Sequence, residues 1–338
     1  MGDRNFNIQN ETTHMPNGSD VANNYTHHDN GIYTEFDFYF HGIVLPIISL
    51  FGLIGNSISS VILFQIAKSS FYMYLAFLSL SDIAALAFGL AVFFIELTSE
   101  DPVQITCSPI EACLRTFSHL SSWITVSVTV DRYIAVCHPF KVTQYCSRKR
   151  ALFTIGAVFL VIVALNFPIA CLQWDDAYST CLVPEFTNDY CFKYGFYIDM
   201  SVYVLIPFSL IGFLNIFIIR EIFRSTSRRR HLTSGTNENS GSSTANIKNS
   251  TMKTVTMLFT VTAFFIVCFL PFIGISLFAI VNGKSWDSAM ELIPIPFTIA
   301  IIGTTLNHSF NFVLYGLSGQ LFRKRFLEMF CFRRCVQS

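Results

Sequence analysis

Charge is scarce in this chain. Only 13% of its 338 residues are charged while 52% are hydrophobic, a balance that soluble globular domains rarely show. Water is therefore not its main solvent. Several chemistries are missing as well. There is no His-Glu-x-x-His motif of a zinc hydrolase, and no nucleophile or metal cluster stands out at depth, so enzymatic activity is not expected. His119 and His308 lie in apolar stretches far apart in sequence and read as core polar groups unless folding unites them. Neither repeated halves nor interrupted helices are visible, which disfavours a transporter. The first forty residues lack an apolar core, so no cleavable signal peptide is expected and the first span would direct insertion.

What remains is apolar sequence in long runs. A bilayer core about 30 Å thick needs about 20 apolar residues per helical span, and seven windows of that kind occur: 40–66, 72–97, 114–136, 151–172, 194–219, 257–281 and 292–317. The expected fold is an all-α membrane protein, a bundle of seven transmembrane helices. We divide it into a tail (1–37), the bundle (38–317) and a terminal segment (318–338).

Lys and Arg collect on the cytoplasmic flanks of membrane helices. With the amino terminus outside, eighteen of the 22 basic residues fall on inner flanks, while only Asp131, Glu221, Glu238 and Glu328 among the 22 acids do. The zero net charge thus hides a strong dipolar layout. Three N-glycosylation sequons, at Asn10, Asn17 and Asn24, sit in the tail and agree with an external amino terminus. Localisation in the plasma membrane follows.

The inner stretch 225–250 is rich in Ser, Thr, Asn and Gly. It reads as a flexible loop, either a phosphorylated regulatory segment or a solvated linker. After the last span, Leu321, Phe322, Phe326 and Phe330 share a side among Arg323, Lys324 and Arg325, the pattern of an amphipathic helix lying on lipid. Cys331 and Cys335 beyond it are either palmitoylated or free thiols. On the outer side Cys107, Cys181 and Cys191 stand where disulfides persist. A Cys107–Cys181 bridge is preferred because it leaves more chain to reach the fifth span; a free Cys191 or a second local bridge stays open.

Asp131-Arg132-Tyr133 closes the third span, and a membrane-boundary arginine needs a partner or must snorkel. Asp82 sits in the middle of the second span with no local counter-charge, so other helices must supply its partners. Gly55-Asn56, Pro168, Pro207, the run FFIVCFLPF around Pro271 and the run NFVLY from Asn311 to Tyr315 complete the set. Together, in this order over all seven spans, these motifs resemble the rhodopsin-like G-protein-coupled receptors.

The resemblance implies roles. Arg132 would contact a heterotrimeric G protein, with Pro139 and Phe140 docking beside it. Pro271 would be the hinge, with Phe265, Phe269, Asn311 and Tyr315 as the activation switch. Asp82, Ser121, Asn307 and Asn311 would hold an allosteric sodium ion, the other reading being a protonated Asp82 in a hydrated network. No other cofactor and no nucleic acid is implied. The departures are Phe269 for Trp, Phe312 for Pro, Asn215 for Tyr, a fourth span without its Trp, and Thr251 where some relatives carry an acid. The last suggests a loosely held resting state with basal signalling.

The resemblance also argues against two ligand classes. Thr305 stands where opsins carry the retinal lysine, and Leu114 where amine receptors carry an aspartate. The outer mouth is acidic, with Glu96, Glu111, Asp199 and Glu291 among its carboxylates, and such a field concentrates cations. Aromatics such as Tyr203 could cradle an arginine. A short basic or amidated peptide fits, as in the FMRFamide-type neuropeptide receptors that the chain more faintly resembles. A non-peptide small molecule is the other reading, and an acidic surface set by topology alone is the plainer one. Arg115, one turn from Glu111, either pairs with it or receives a ligand carboxylate.

Overall fold

In a computed structural model the chain is described at residues 39–98, 109–170, 173–175, 180–182, 199–233, 242–282 and 294–330. A π-helical turn, Phe40–Val44, leads into α1 (Leu45–Ile66). Then come α2 (Ser70–Thr98), α3 (Pro109–Cys137) and α4 (Arg148–Ala170), with a 3-10 turn and one helical turn between α3 and α4. A hairpin of β1 (Gln173–Asp175) and β2 (Thr180–Leu182) pairs Trp174 with Cys181. A second π-helical stretch, Asp199–Leu205, opens α5 (Ile206–Thr233), followed by α6 (Ser242–Val281), α7 (Pro294–Ser309), α8 (Asn311–Ser318) and α9 (Gln320–Phe330).

Among the described residues, α1, α2, α4, α5 and α6 are each long and apolar enough to cross a membrane, and α7 with α8 forms a sixth such unit bent by 51°. The third span falls short on hydropathy, not on length. Its 29 residues reach about 43 Å at 1.5 Å per residue, but they include seven Ser and Thr and His119. That polarity is tolerated because α3 packs against α2, α4 and α5 and touches little lipid. Apolar side chains face outward instead: Ile54, Leu160, Phe213 and Val267 are all more than half exposed. In lipid this inversion of the usual rule costs nothing.

Small residues let the helices close up. A methyl group on Gly52 of α1 would lie 2.7 Å from the Ser309 backbone, and one on Gly55 would lie 2.9 Å from Phe312. On α7, Gly303 faces the Cys268 carbonyl of α6 so closely that a Cβ would overlap it. Such contacts supply the packing that replaces the hydrophobic drive of water.

Two expectations change. The stretch 225–250 is not a loop throughout, since α5 continues to Thr233 and α6 begins at Ser242. Extending an existing helix adds one hydrogen bond per residue without the nucleation cost, so polar sequence follows the spans outward. The terminal amphipathic helix forms as expected, but its faces are divided differently. Phe322 and Phe326 pack on Phe312, and Phe322 also on Tyr315, while Leu321 is half exposed.

A Gly303→Ala substitution is expected to push α6 from α7 and cost about 1–3 kcal/mol of overpacking. Thermal unfolding of the detergent-solubilised protein should show a lower Tm, and an unchanged Tm would mean that the α6–α7 contact is slack.

Candidate functional site

Three polar or aromatic layers lie along the bundle. At the end of α3, Asp131 accepts hydrogen bonds from the Arg132 guanidinium at 2.5 and 3.1 Å and from the Ser70 hydroxyl at 2.5 Å. Ser70 is the first residue of α2, so the carboxylate ties α2 to α3. The Arg132 guanidinium also lies 4.5 Å from the centre of the Phe71 ring, a cation–π contact that shelters its apolar face. Tyr133 packs edge-on against His138 and Phe217. Pro139 opens the following 3-10 turn, and Phe140 beside it is 98% exposed.

Halfway along, Asp82 is fully buried. Its Oδ1 accepts from Ser121 Oγ at 2.6 Å and from His308 Nδ1 at 2.8 Å, and its Oδ2 accepts from Asn311 Nδ2 at 2.7 Å. Three of the four residues expected there do meet. Asn307 makes no hydrogen bond to the carboxylate, and its neighbour His308 takes that role. The His308 carbonyl in turn receives the Asn56 amide at 2.8 Å. A side chain intruding on the carbonyl ladder bends a helix, which accounts for the bend at Phe310 although Phe312 replaces proline.

The third layer is aromatic. Phe265 and Phe269 lie 4.5 Å apart, and Tyr203 meets Phe269 edge-on at 5.0 Å and Phe272 at 6.1 Å. Pro271 lies inside α6 just beyond them. Tyr203 is carried by the π-helical stretch ahead of Pro207. Because proline has no N–H, upstream carbonyls there lose helical partners, and that of Val202 accepts the Trp123 indole N–H at 2.8 Å.

A model of the seven-transmembrane receptor (rhodopsin family) matches residues 58–315. The chain belongs to this family. It is 26% identical over 328 residues to the FMRFamide receptor of Drosophila melanogaster, covering 89% of this chain but 55% of that protein. It is 24% identical to the neuromedin-U receptor 2 of Mus musculus, over 84% of this chain and 73% of that one. With the allatostatin-A receptor of Bombyx mori it shares 24% over 85% of this chain and 80% of the other. The family consists of multi-pass membrane receptors, not enzymes, and coupling to G proteins is general to it.

The remaining expected positions of the receptor divide in two. Arg115 pairs with Glu111 across one turn at 2.8 Å, so the first of its two readings has a geometry, and Leu114 lies between them. Tyr203 is buried, 8% exposed, and belongs to the aromatic layer instead of the rim. Asn10, Asn17, Asn24, Cys107, Glu291, Cys331 and Cys335 lie outside the described residues, as do the side chains of Glu96, Cys181 and Asp199.

Several partnerships carry no signal in the sequence: Ser70 with Asp131, His308 with Asp82, Asn166 with His119 at 3.1 Å, and the Asn215–Thr262 bond of 3.0 Å between α5 and α6. Asn215 stands out there only as a departure from tyrosine. Its amide links the two helices that this departure concerns.

Cys146, between the spans, lies against the Asp131 carbonyl at 3.7 Å. Burial first, then the negative charge and hydrogen bonding of Asp131, push its thiol up to about 11. Since the thiolate is the reactive form, alkylation at neutral pH should be slow and should accelerate only as pH climbs toward that value. Peptide mapping after iodoacetamide treatment should show this, and Asp131→Asn should react faster at any one pH. Rapid labelling of the unsubstituted protein at pH 7 would contradict the geometry.

Proposed function

We propose that this receptor faces outward with its amino-terminal side, binds a short basic or amidated peptide at the outer helix ends, and activates a heterotrimeric G protein at the Arg132 end. The observation that carries the coupling face is the Asp131–Arg132 pair, buried against Ser70 and Phe71, with an almost fully exposed Phe140 beside it. An apolar ring of that size in the open is a ready contact for a partner. Around it Lys141, Arg148, Lys149, Arg150, Arg220 and Arg224 are exposed, which supports a cytoplasmic orientation by the positive-inside rule.

Activation then has a physical description. Outward movement of α6 about Pro271 would slide Phe265 and Phe269 past Tyr203 and part the Asn215–Thr262 bond. Arg132 must exchange Asp131 for the G protein, a swap of one charge-assisted bond for another. Sodium at Asp82 is not part of this description, because the donors there suit it poorly. Glycans at Asn10, Asn17 and Asn24, a Cys107–Cys181 bridge and lipid on Cys331 or Cys335 are compatible additions.

The peptide reading rests on the acidic outer segments and on relatives whose names specify receptors for FMRFamide, neuromedin-U and allatostatin-A. Glu96, Asp199 and Glu291 would meet the cationic end of the ligand, while Glu111 and Arg115, already paired with each other, serve the structure. Expression with promiscuous G-protein reporters and a panel of amidated peptides, amines, lipids and small acids tests this. A response to amidated peptides that Arg132→Ala abolishes at equal surface expression is expected; activation by an amine alone would overturn the ligand assignment.

The α5–α6 bond gives a separate prediction. Removing it with Thr262→Val forfeits about 1 kcal/mol from the resting state, roughly a five-fold shift toward the active one. Basal second-messenger output should rise accordingly, and unchanged output would remove this bond from the account.

A further inference from the structure

The middle of the bundle holds a histidine that neither the motifs nor the proposed signalling route uses. His308 is 5% exposed and lies between two helices that its ring connects. Nδ1 is 2.8 Å from Asp82 Oδ1 on α2, and Nε2 is 3.2 Å from the Tyr203 hydroxyl ahead of α5. Opposite an ionised carboxylate, which only accepts hydrogen bonds, the hydrogen between them belongs to Nδ1. In the neutral ring Nε2 is then left as the acceptor, and the Tyr203 hydroxyl donates to it.

With that bond in place Asp82 holds three hydrogen bonds. Oδ1 takes Ser121 Oγ–H and His308 Nδ1–H, and Oδ2 takes the Asn311 amide. A hard cation is held by several oxygen atoms. Of the hydrogen-bond partners of this carboxylate among the described residues, Ser121 alone contacts it through oxygen. The other two bring nitrogen-bound hydrogens, and the imidazole, 2.8 Å from Oδ1, competes with any cation for that oxygen. The donor set does not fit sodium.

We propose that the His308 imidazole stands in for a metal cation: it is the built-in counter-group of Asp82, so the polar centre of this receptor does not take up sodium. The substitution changes what the centre responds to. A mobile ion would report salt, whereas a tethered ring reports the position of Tyr203, which touches Phe269 and Phe272 on α6. His308 is thus a positioning residue that joins the aromatic layer to Asp82 through two hydrogen bonds.

The test is the thermal unfolding of the full-length, agonist-free receptor in detergent, with sodium chloride compared against N-methylglucamine chloride at equal ionic strength. The unsubstituted receptor is expected to unfold at the same temperature in both. His308→Ser, which removes the ring and supplies a hydroxyl oxygen, is expected to gain a sodium-dependent rise in Tm of about 2 °C or more, and Asp82→Asn added to it should erase that rise. A sodium-dependent Tm in the unsubstituted receptor overturns the proposal, as does a folded His308→Ser that stays indifferent to sodium. Should His308→Ser not accumulate, the comparison on the unsubstituted receptor decides alone. Neither agonist nor G protein enters the measurement, so its failure leaves the receptor reading standing.

Discussion

A carboxylate with no access to solvent, in the middle of a lipid-facing bundle, must find all its hydrogen bonds inside the protein. Asp82 imposes that condition here, and the arrangement of α2, α3, α7 and α8 satisfies it. Ser121 of α3 and His308 of α7 share Oδ1 while Asn311 of α8 holds Oδ2, so three other helices are tied to α2 through one side chain. Losing one partner of a buried charge is far costlier than forming the pair is profitable. Lipid gives helices little reason to associate, and a centre of this kind, together with close packing at Gly52, Gly55 and Gly303, supplies the reason.

From this centre the structure can be followed both ways. Toward one end, His308 passes to Tyr203 and the aromatic layer around Phe269, whose α6 carries the Pro271 break. Toward the other, Asn311 leads through α8 to Tyr315, which is buried against Phe322 of α9. Arg323 of α9 donates to the Leu317 carbonyl at 2.5 Å and to that of Gly316 at 3.1 Å, capping α8 with positive charge where the helix dipole favours it. The Asp131–Arg132 pair lies at this same end, held by Ser70, the first residue of the helix that bears Asp82 near its middle. One helix, α2, therefore connects the polar centre with the proposed coupling face.

Much of this is legible in the amino-acid sequence. Long apolar runs reveal spans without needing partners. Asp131, Arg132, Asp82 and Pro271 can be named because burying a charge or breaking a helix is exceptional in itself, while Asn311 is named only by the resemblance of its motif. Partnership is harder to read. Whether Asn307 or its neighbour His308 reaches Asp82 depends on the rotation of α7, a difference of about 100° per residue that hydropathy does not encode. Ser70 escapes notice for the same reason: a serine at the start of a helix is ordinary until the end of α3 is placed beside it. The helical ends within 225–250 are hidden because their composition is that of a loop, and only the helices extending into it make them helical. Tyr203 resembles a rim residue because aromatics near an outer boundary suit a binding site, and burial alone corrects that.

The central claim is that Asp82 and His308 act as one unit. A double-mutant cycle with Asp82→Asn, His308→Ala and the double variant, read by thermal unfolding in sodium-free buffer, tests it most directly. Each single change should lower Tm, and the double variant should unfold close to the worse of the two singles, since removing either partner already forfeits the contact. Strictly additive losses would contradict the account, because they would mean that the two side chains contribute to the fold independently of one another.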